Sequence, residues 1–148
     1  MPACGSCAVT ARITERFRVE EAGESREGRY CVRLLEALEY RVGSANSVEV
    51  ITVPAGFVTD FASIPWGLWN LFPPLGLWAR PAIVHDFLYD RGGMIPRRTY
   101  SRKEADMIFR EAMEVVGVPA WRREIMFRAV RLGGGGAWNK SLARRPDT

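Results

Sequence analysis

Ser101-Arg102-Lys103-Glu104-Ala105-Asp106-Met107-Ile108-Phe109-Arg110-Glu111-Ala112-Met113-Glu114-Val115-Val116-Gly117 sets the character of the second half of the chain. Ser101 followed three residues later by Glu104 is a capping box, in which each side chain satisfies a backbone N–H at the helix start. Ala105, Ile108, Phe109, Ala112, Met113 and Val116 then recur at helical spacing and form one apolar stripe. Gly117 is a suitable stop, because glycine enters the left-handed conformation at helix ends without a Cβ penalty.

Working outward, a further helix is expected from Pro119 to about Leu132, burying Trp121, Ile125, Met126, Ala129 and Val130. Gly133-Gly134-Gly135-Gly136 is expected to end it, since glycines lose the most backbone entropy on ordering. On the N-terminal side lies Ala82-Ile83-Val84-His85-Asp86-Phe87-Leu88-Tyr89, a helix with Pro81 as its first residue. Before it, Phe57–Arg80 is rich in Trp, Phe, Pro and Gly, too aromatic for a disordered linker and too broken for one long element. It predicts a packed irregular segment with a short helix near Pro65–Asn70.

The first half has the period of strands instead. Val9–Glu20 carries Val9, Ala11, Ile13 and Phe17 near alternate positions, Glu21–Gly28 suits a hairpin connection, and Tyr30–Val42 is a second candidate strand. After a turn at Gly43–Asn46, Ser47–Val53 alternates again and ends at Pro54-Ala55-Gly56. The expected fold is α+β: an N-terminal antiparallel sheet of about three or more strands, an aromatic irregular segment, and about three C-terminal helices packed on the sheet. One domain over 1–148 is expected, with its core at about 8–138 and tails at 1–7 and 139–148.

Composition agrees with that size. The 148 residues are 47% hydrophobic and 11% aromatic, enough for a substantial core, and 26% charged, as in globular proteins. Apolar runs are interrupted well before the ~20 residues of a membrane helix. No basic region leading into an apolar stretch marks a signal peptide at Met1–Cys7. Cys4 and Cys7 form a C-x-x-C that lacks the second pair a zinc site needs, and Cys31 stands apart, which suggests thiols in a reducing compartment. The net charge of +4 concentrates at Arg97, Arg98, Arg102 and Lys103 and at Arg122, Arg123, Arg128 and Arg131. Such faces suit phosphate contact or plain solvation, and no nucleic-acid motif accompanies them.

The candidate chemistry gathers around His85, the only histidine. Asp106 lies at the border of the buried stripe of its helix, where a carboxylate needs a partner. His85 is the candidate across the packing and Arg102 the local one. His85 with Asp106 would form the catalytic pair of an enzyme, the aspartate orienting the imidazole. Asp86 is the candidate cation ligand, admitting a divalent ion such as calcium as cofactor. Thr59, Asp60, Ser63, Tyr89 and Arg102 complete the expected polar cluster, with Asp60 either capping a turn near Ser63 or joining His85 and Asp86. The same residues also suit a buried network that only fixes helix packing. Trp66, Trp69 and Trp78 are candidate partner anchors.

Two resemblances follow from these motifs. The run Val53-Pro54-Ala55-Gly56-Phe57-Val58-Thr59-Asp60-Phe61-Ala62-Ser63-Ile64-Pro65, then Ala82–Tyr89, then Arg102–Phe109 resembles domain-of-unknown-function family 1353 (DUF1353) over roughly Thr52 to Trp138. That resemblance implies a phage or prophage origin, other phage structural proteins as partners, and residence in a virion or the host cytoplasm. The His85-Asp86-x-x-Tyr89 helix followed by Ala105-Asp106 is also similar to the two-helix core of phospholipase A2-type enzymes. By that likeness His85 would activate water, Asp86 bind calcium and Asp106 orient His85. The sequence departs from it in lacking the Gly-rich calcium loop and the flanking disulfides. The expected function is a small accessory or virion protein of the tail or baseplate. The alternative is a hydrolase of a cell-envelope ester using the His/Asp pair, with or without a cation.

Overall fold

The computed structural model describes residues 12–25, 28–61, 64, 66–68 and 76–144. Its first half is antiparallel β. Strand β1 (Val19–Glu24) pairs with β2 (Tyr30–Leu34). Beyond β3 (Leu38–Arg41) and β4 (Val50–Val53), β5 (Val58–Thr59) returns to β2 and completes a three-stranded sheet. The pair β3–β4 forms a hairpin of its own, with Leu38 opposite Val53 and Tyr40 opposite Ile51. All four of those side chains point inward and are buried. Ile13 reaches this hairpin through an isolated bridge to Tyr40.

The strand boundaries differ from the sequence expectation. The first regular strand begins at Val19, so of the expected Val9–Glu20 strand only Val19 and Glu20 pair with β2, and among the described residues before them Ile13 makes an isolated bridge to Tyr40. The single strand expected over Tyr30–Val42 is two, in different sheets, because the chain bends at Leu35–Ala37. Alternation continues through such a corner, so pattern alone does not reveal it.

The second half is helical, as expected: α1 (Ala79–Asp90), α2 (Arg102–Val115), α3 (Ala120–Gly133) and α4 (Gly135–Ala143). A short 3-10 turn at Trp66–Leu68 falls where a short helix was expected. α1 starts at Ala79, so Pro81 is its third residue, still within the first turn where its missing N–H costs nothing. A minimal hairpin of β6 (Met94–Ile95) and β7 (Arg98–Thr99) links α1 to α2. It turns through Pro96 and Arg97, the latter at φ 77°, and it is entered through Gly93, at φ 80°, where a Cβ would lie 1.9 Å from the Tyr100 carbonyl oxygen.

α2 begins with the capping box at Ser101 and Glu104. It ends as a Schellman turn, with Val118 N–H donating to Met113 O (2.9 Å), Gly117 N–H to Glu114 O (3.0 Å), and Gly117 at φ 86°. Ala105, Ile108, Phe109, Ala112 and Met113 are buried, as the stripe requires. Glu111, on another side of α2, accepts from Gly43 N–H (2.8 Å), the Tyr40 hydroxyl and Arg12, and so ties the helix to the β3 hairpin.

Two helix expectations need correction. The glycine run does not leave a tail from residue 139: Gly134 alone interrupts, and α4 continues to Ala143. Burial of Trp138 and Ser141 offsets the entropy cost of the glycines. On α3, Met126 and Val130 are buried, but Trp121 and Ile125 face solvent. The helix carries two apolar stripes, and only one meets the core.

Candidate functional site

α1 is the central element, buried from Ala79 to Tyr89 except for the half-buried Arg80, and packed against α2, α4 and strands β3 to β5. Four of its residues place polar groups on two neighbouring faces. His85 and Tyr89, one turn apart, face α2; Asp86 and Asp90, also one turn apart, line a pocket on the adjoining side. The expected single cluster is therefore two groups that share Tyr89.

The inner group is a closed network. His85 Nε2 lies 2.8 Å from Asp106 Oδ1, and Tyr89 OH donates to the same oxygen at 2.6 Å. Arg131 on α3 donates from Nη1 to Oδ2 at 2.6 Å. His85 and Asp106 are fully buried, and the imidazole stacks on Phe109 with centroids 4.6 Å apart. Burial by itself would push the Asp106 carboxyl up. The hydrogen bonds from His85 and Tyr89, with His85 and Arg131 nearby, outweigh it and hold the group below its ordinary range. Tyr89 is moved the other way: burial, then its hydrogen bond to Asp106, raise its pKa far above the ordinary value and keep the phenol protonated.

Arg131 was not anticipated. Arg102, the expected local partner, donates from Nη2 to the Arg131 carbonyl at 3.3 Å and so braces the helix that supplies the guanidinium. The available signal was weak: Arg131 follows the buried Val130, but its reach across to α2 depends on how the two helices pack. Gly134 was also misjudged as a mere terminator. A Cβ there would lie 2.6 Å from Tyr89 OH and 2.6 Å from the Val130 carbonyl oxygen, so glycine lets the α3–α4 corner sit on the Tyr89 hydroxyl.

The outer group lines a cavity of about 420 Å³ between α1, β5 and α4. Asp60, Asp86 and Asp90 supply carboxylates, and Arg29, Lys140 and Arg144 supply cations. Asp86, nearly buried, accepts a short hydrogen bond from the Thr59 hydroxyl, which itself accepts from Phe61 N–H at 3.0 Å. Phe61 is held at φ 53°, a conformation that costs a non-glycine residue about 1–3 kcal/mol. Asp60 stands between these two anchors, 4.0 Å from Arg29. His85 and Asp106 do not line this cavity.

Of the remaining expected residues, Ser63, Trp69, Cys4, Cys7 and the Trp66 side chain lie outside the described residues. Trp78, one of the three candidate anchors, is buried and packs edge-on to Phe61. Among the described residues, no group of three His, Cys, Asp or Glu side chains is arranged to hold a metal ion. Cys31 is buried as a free thiol. Two arginines of the basic faces are engaged in ion pairs, Arg98 with Glu49 and Glu104 and Arg131 with Asp106. No described helix is long and apolar enough to cross a membrane.

Residues 32–130 match the family described as protein of unknown function (DUF1353), and the chain belongs to it. No curated protein and no solved structure matches the chain.

Proposed function

We propose that this chain is a small non-enzymatic accessory protein of phage or prophage type, associated with the tail or baseplate, and that it joins its assembly through the outward face of α3. The observation that carries the binding part of this reading is the second apolar stripe of that helix. Trp121, Ile125 and Leu132 are 57%, 40% and 89% exposed. At 100° per residue they fall within about 40° of one another, opposite the buried Met126 and Val130. An exposed aligned Trp–Ile–Leu row, set apart from the stripe that meets the core, is a typical anchor for a partner. Arg122, whose guanidinium lies 5.0 Å from the Trp121 ring centre, flanks the row, and the exposed Arg128 stands between Ile125 and Leu132 along it. A partner with an acidic rim fits this face, whereas a second copy would set arginine against arginine. The phage assignment rests on the resemblance of the family's motifs.

The test is particle composition. Particles purified after induction of the host are expected to contain the protein, and a Trp121→Ser variant is expected to fold normally yet be depleted from them. Absence from particles, with normal assembly in a deletion strain, would remove the reading.

The hydrolase alternative has one specific support, the 2.8 Å His85–Asp106 contact with Asp86 next along the helix. Against it, the imidazole has no solvent-exposed surface and does not reach the cavity. An esterase would lose turnover on His85→Ala at nearly unchanged thermal stability. A packing network would instead lose stability, with no turnover in either protein.

A further inference from the structure

We infer that the free edge of β4 is a docking site for an extended segment of another protein, which adds to the β3–β4 hairpin as a further strand and carries a carboxylate toward Arg97. This goes beyond the docking role of α3 and does not depend on it.

The ladder bonds of the hairpin leave this edge open. In an antiparallel pair, successive residues turn their N–H and C=O groups to alternate sides. Val42 N–H donates to Glu49 O at 3.0 Å, so Glu49, Ile51 and Val53 face β3 while Val50 and Thr52 face away from it. The opposite edge of the hairpin is covered: Arg41 N–H donates to Arg12 O at 2.7 Å, and Thr14 N–H to Glu39 O at 3.0 Å. No backbone bond of that kind reaches Val50 or Thr52 among the described residues. A row of unpaired N–H and C=O groups is a template for one more strand, and an extended segment is the occupant that satisfies it.

The edge also lacks the usual guards, which are charges, proline or a bulge. β1, at the border of the other sheet, has them: Glu20, Glu21 and Glu24, with a bulge between Glu21 and Glu24. Along β4 the chain reads Val48-Glu49-Val50-Ile51-Thr52-Val53, and its register with β3 runs unbroken from Arg41–Val50 to Leu38–Val53. Its one charge, Glu49, is already held by the Tyr100 hydroxyl at 2.6 Å and by Arg98 at 2.9 Å. Val48 is 96% exposed. Val50 and Thr52 line a groove of about 400 Å³ whose other wall is the β6–β7 hairpin.

The tip of that wall indicates the charge of the incoming strand. Proline at the first turn position with positive φ at the second is the pattern of a type II turn, where glycine or asparagine is the unstrained choice. Arginine stands there instead, at φ 77°, exposed and without a hydrogen bond or ion pair among the described residues. Packing within the chain does not account for that strain, and a role toward a ligand does. Arg41, also in the groove, donates from Nη1 to the Ser47 carbonyl at 3.0 Å, which leaves its charge unneutralised. Arg98 is satisfied by Glu49 and Glu104 at 2.9 Å each. Two free guanidiniums thus outweigh the remaining carboxylate, Glu39, and the groove favours an acidic strand. A second copy of this chain would bring its own β6–β7 hairpin and Arg97 to the same groove, like charge against like.

The experiment is titration of the full chain with a capped synthetic hexapeptide of alternating valine and threonine carrying one aspartate, followed by amide chemical shifts and hydrogen exchange. The same peptide with lysine in place of aspartate, and a fully N-methylated form, are the controls. Saturable binding of the aspartate peptide is expected, with amide exchange at Val50 and Thr52 slowed about tenfold or more as their edge is covered. The lysine peptide should bind about threefold or more weakly, as for a part-exposed charge contact, and the N-methylated form should not bind. Arg97→Gly relieves the turn, so it should leave the thermal midpoint in place or raise it while removing the preference for aspartate over lysine. No saturable binding of the aspartate peptide, equal binding of its N-methylated form, or an undiminished aspartate preference in Arg97→Gly would each overturn the proposal. So would protection of Val50 and Thr52 that rises with protein concentration in the absence of peptide, which would assign the edge to a second copy.

Discussion

Replacing Asp106 by alanine tests the inner network most directly. The carboxylate accepts from three donors: His85 Nε2, Tyr89 OH and Arg131 Nη1. Two of them belong to side chains with almost no exposed surface, so water cannot replace the lost acceptor without opening the α1–α2 interface. Each stranded buried donor costs about 1–3 kcal/mol. Arg131 is 31% exposed and can rehydrate, so it adds little. The sum for His85 and Tyr89 is about 2–6 kcal/mol, bracketing the 3–5 kcal/mol typical of a broken buried pair. For a domain of this size that lowers Tm by roughly 6–20 °C. Thermal unfolding followed by circular dichroism measures it, with Asp106→Asn as the companion, since the amide keeps one oxygen acceptor and should fall between. A Tm within about 2 °C of the parent for Asp106→Ala would refute the claim that the network holds α1, α2 and α3 together.

The same carboxylate predicts a pH dependence. Because the folded Asp106 is held below its ordinary value of 3.8, the unfolded chain takes up this proton more readily. Its stabilisation is complete above that pH and is lost as pH falls through 3.8 toward the lower folded value; acid denaturation of Asp106→Asn should lack this component. Gly134→Ala should destabilise by about 1–3 kcal/mol through overpacking against Tyr89 and the Val130 carbonyl, while Gly136→Ala should raise Tm slightly, and chemical denaturation distinguishes the two. Ser101→Ala removes the α2 cap and should cost about 1 kcal/mol in the same assay. Trp121→Ser should leave stability within about 0.5 kcal/mol, as its ring is largely in water; a larger loss would place that side chain in the fold rather than at a partner.

The helical half was the more legible one, because its signals are local. Ser101, Glu104, the six-residue stripe and Gly117 specify the limits of α2 within one continuous segment, and the structure follows them. The pairing of His85 with Asp106 was one of two anticipated, since a carboxylate at the edge of a buried stripe must find a donor. The β half was less legible. Two-residue strands such as β6 and β7 have no measurable period, and the corner at Leu35–Ala37 separates sheets without breaking alternation. α3 misled for another reason: periodicity reveals that an apolar stripe exists but not which stripe a neighbour covers.

Composition, periodicity and capping were sufficient for the α+β class and for the order of strands before helices, because each depends on short-range spacing, and they narrowed the partner of Asp106 to His85 or Arg102 without choosing between them. Distance along the chain says nothing about approach in space. Arg131 as the guanidinium on Asp106, Gly134 beneath Tyr89, the sealing of His85 from solvent, and the gathering of Arg29, Asp60, Asp86 and Lys140 around one cavity are matters of long-range packing. They depend on the angle at which α3 and α4 return across α1, and that angle is set by the whole core rather than by any one segment.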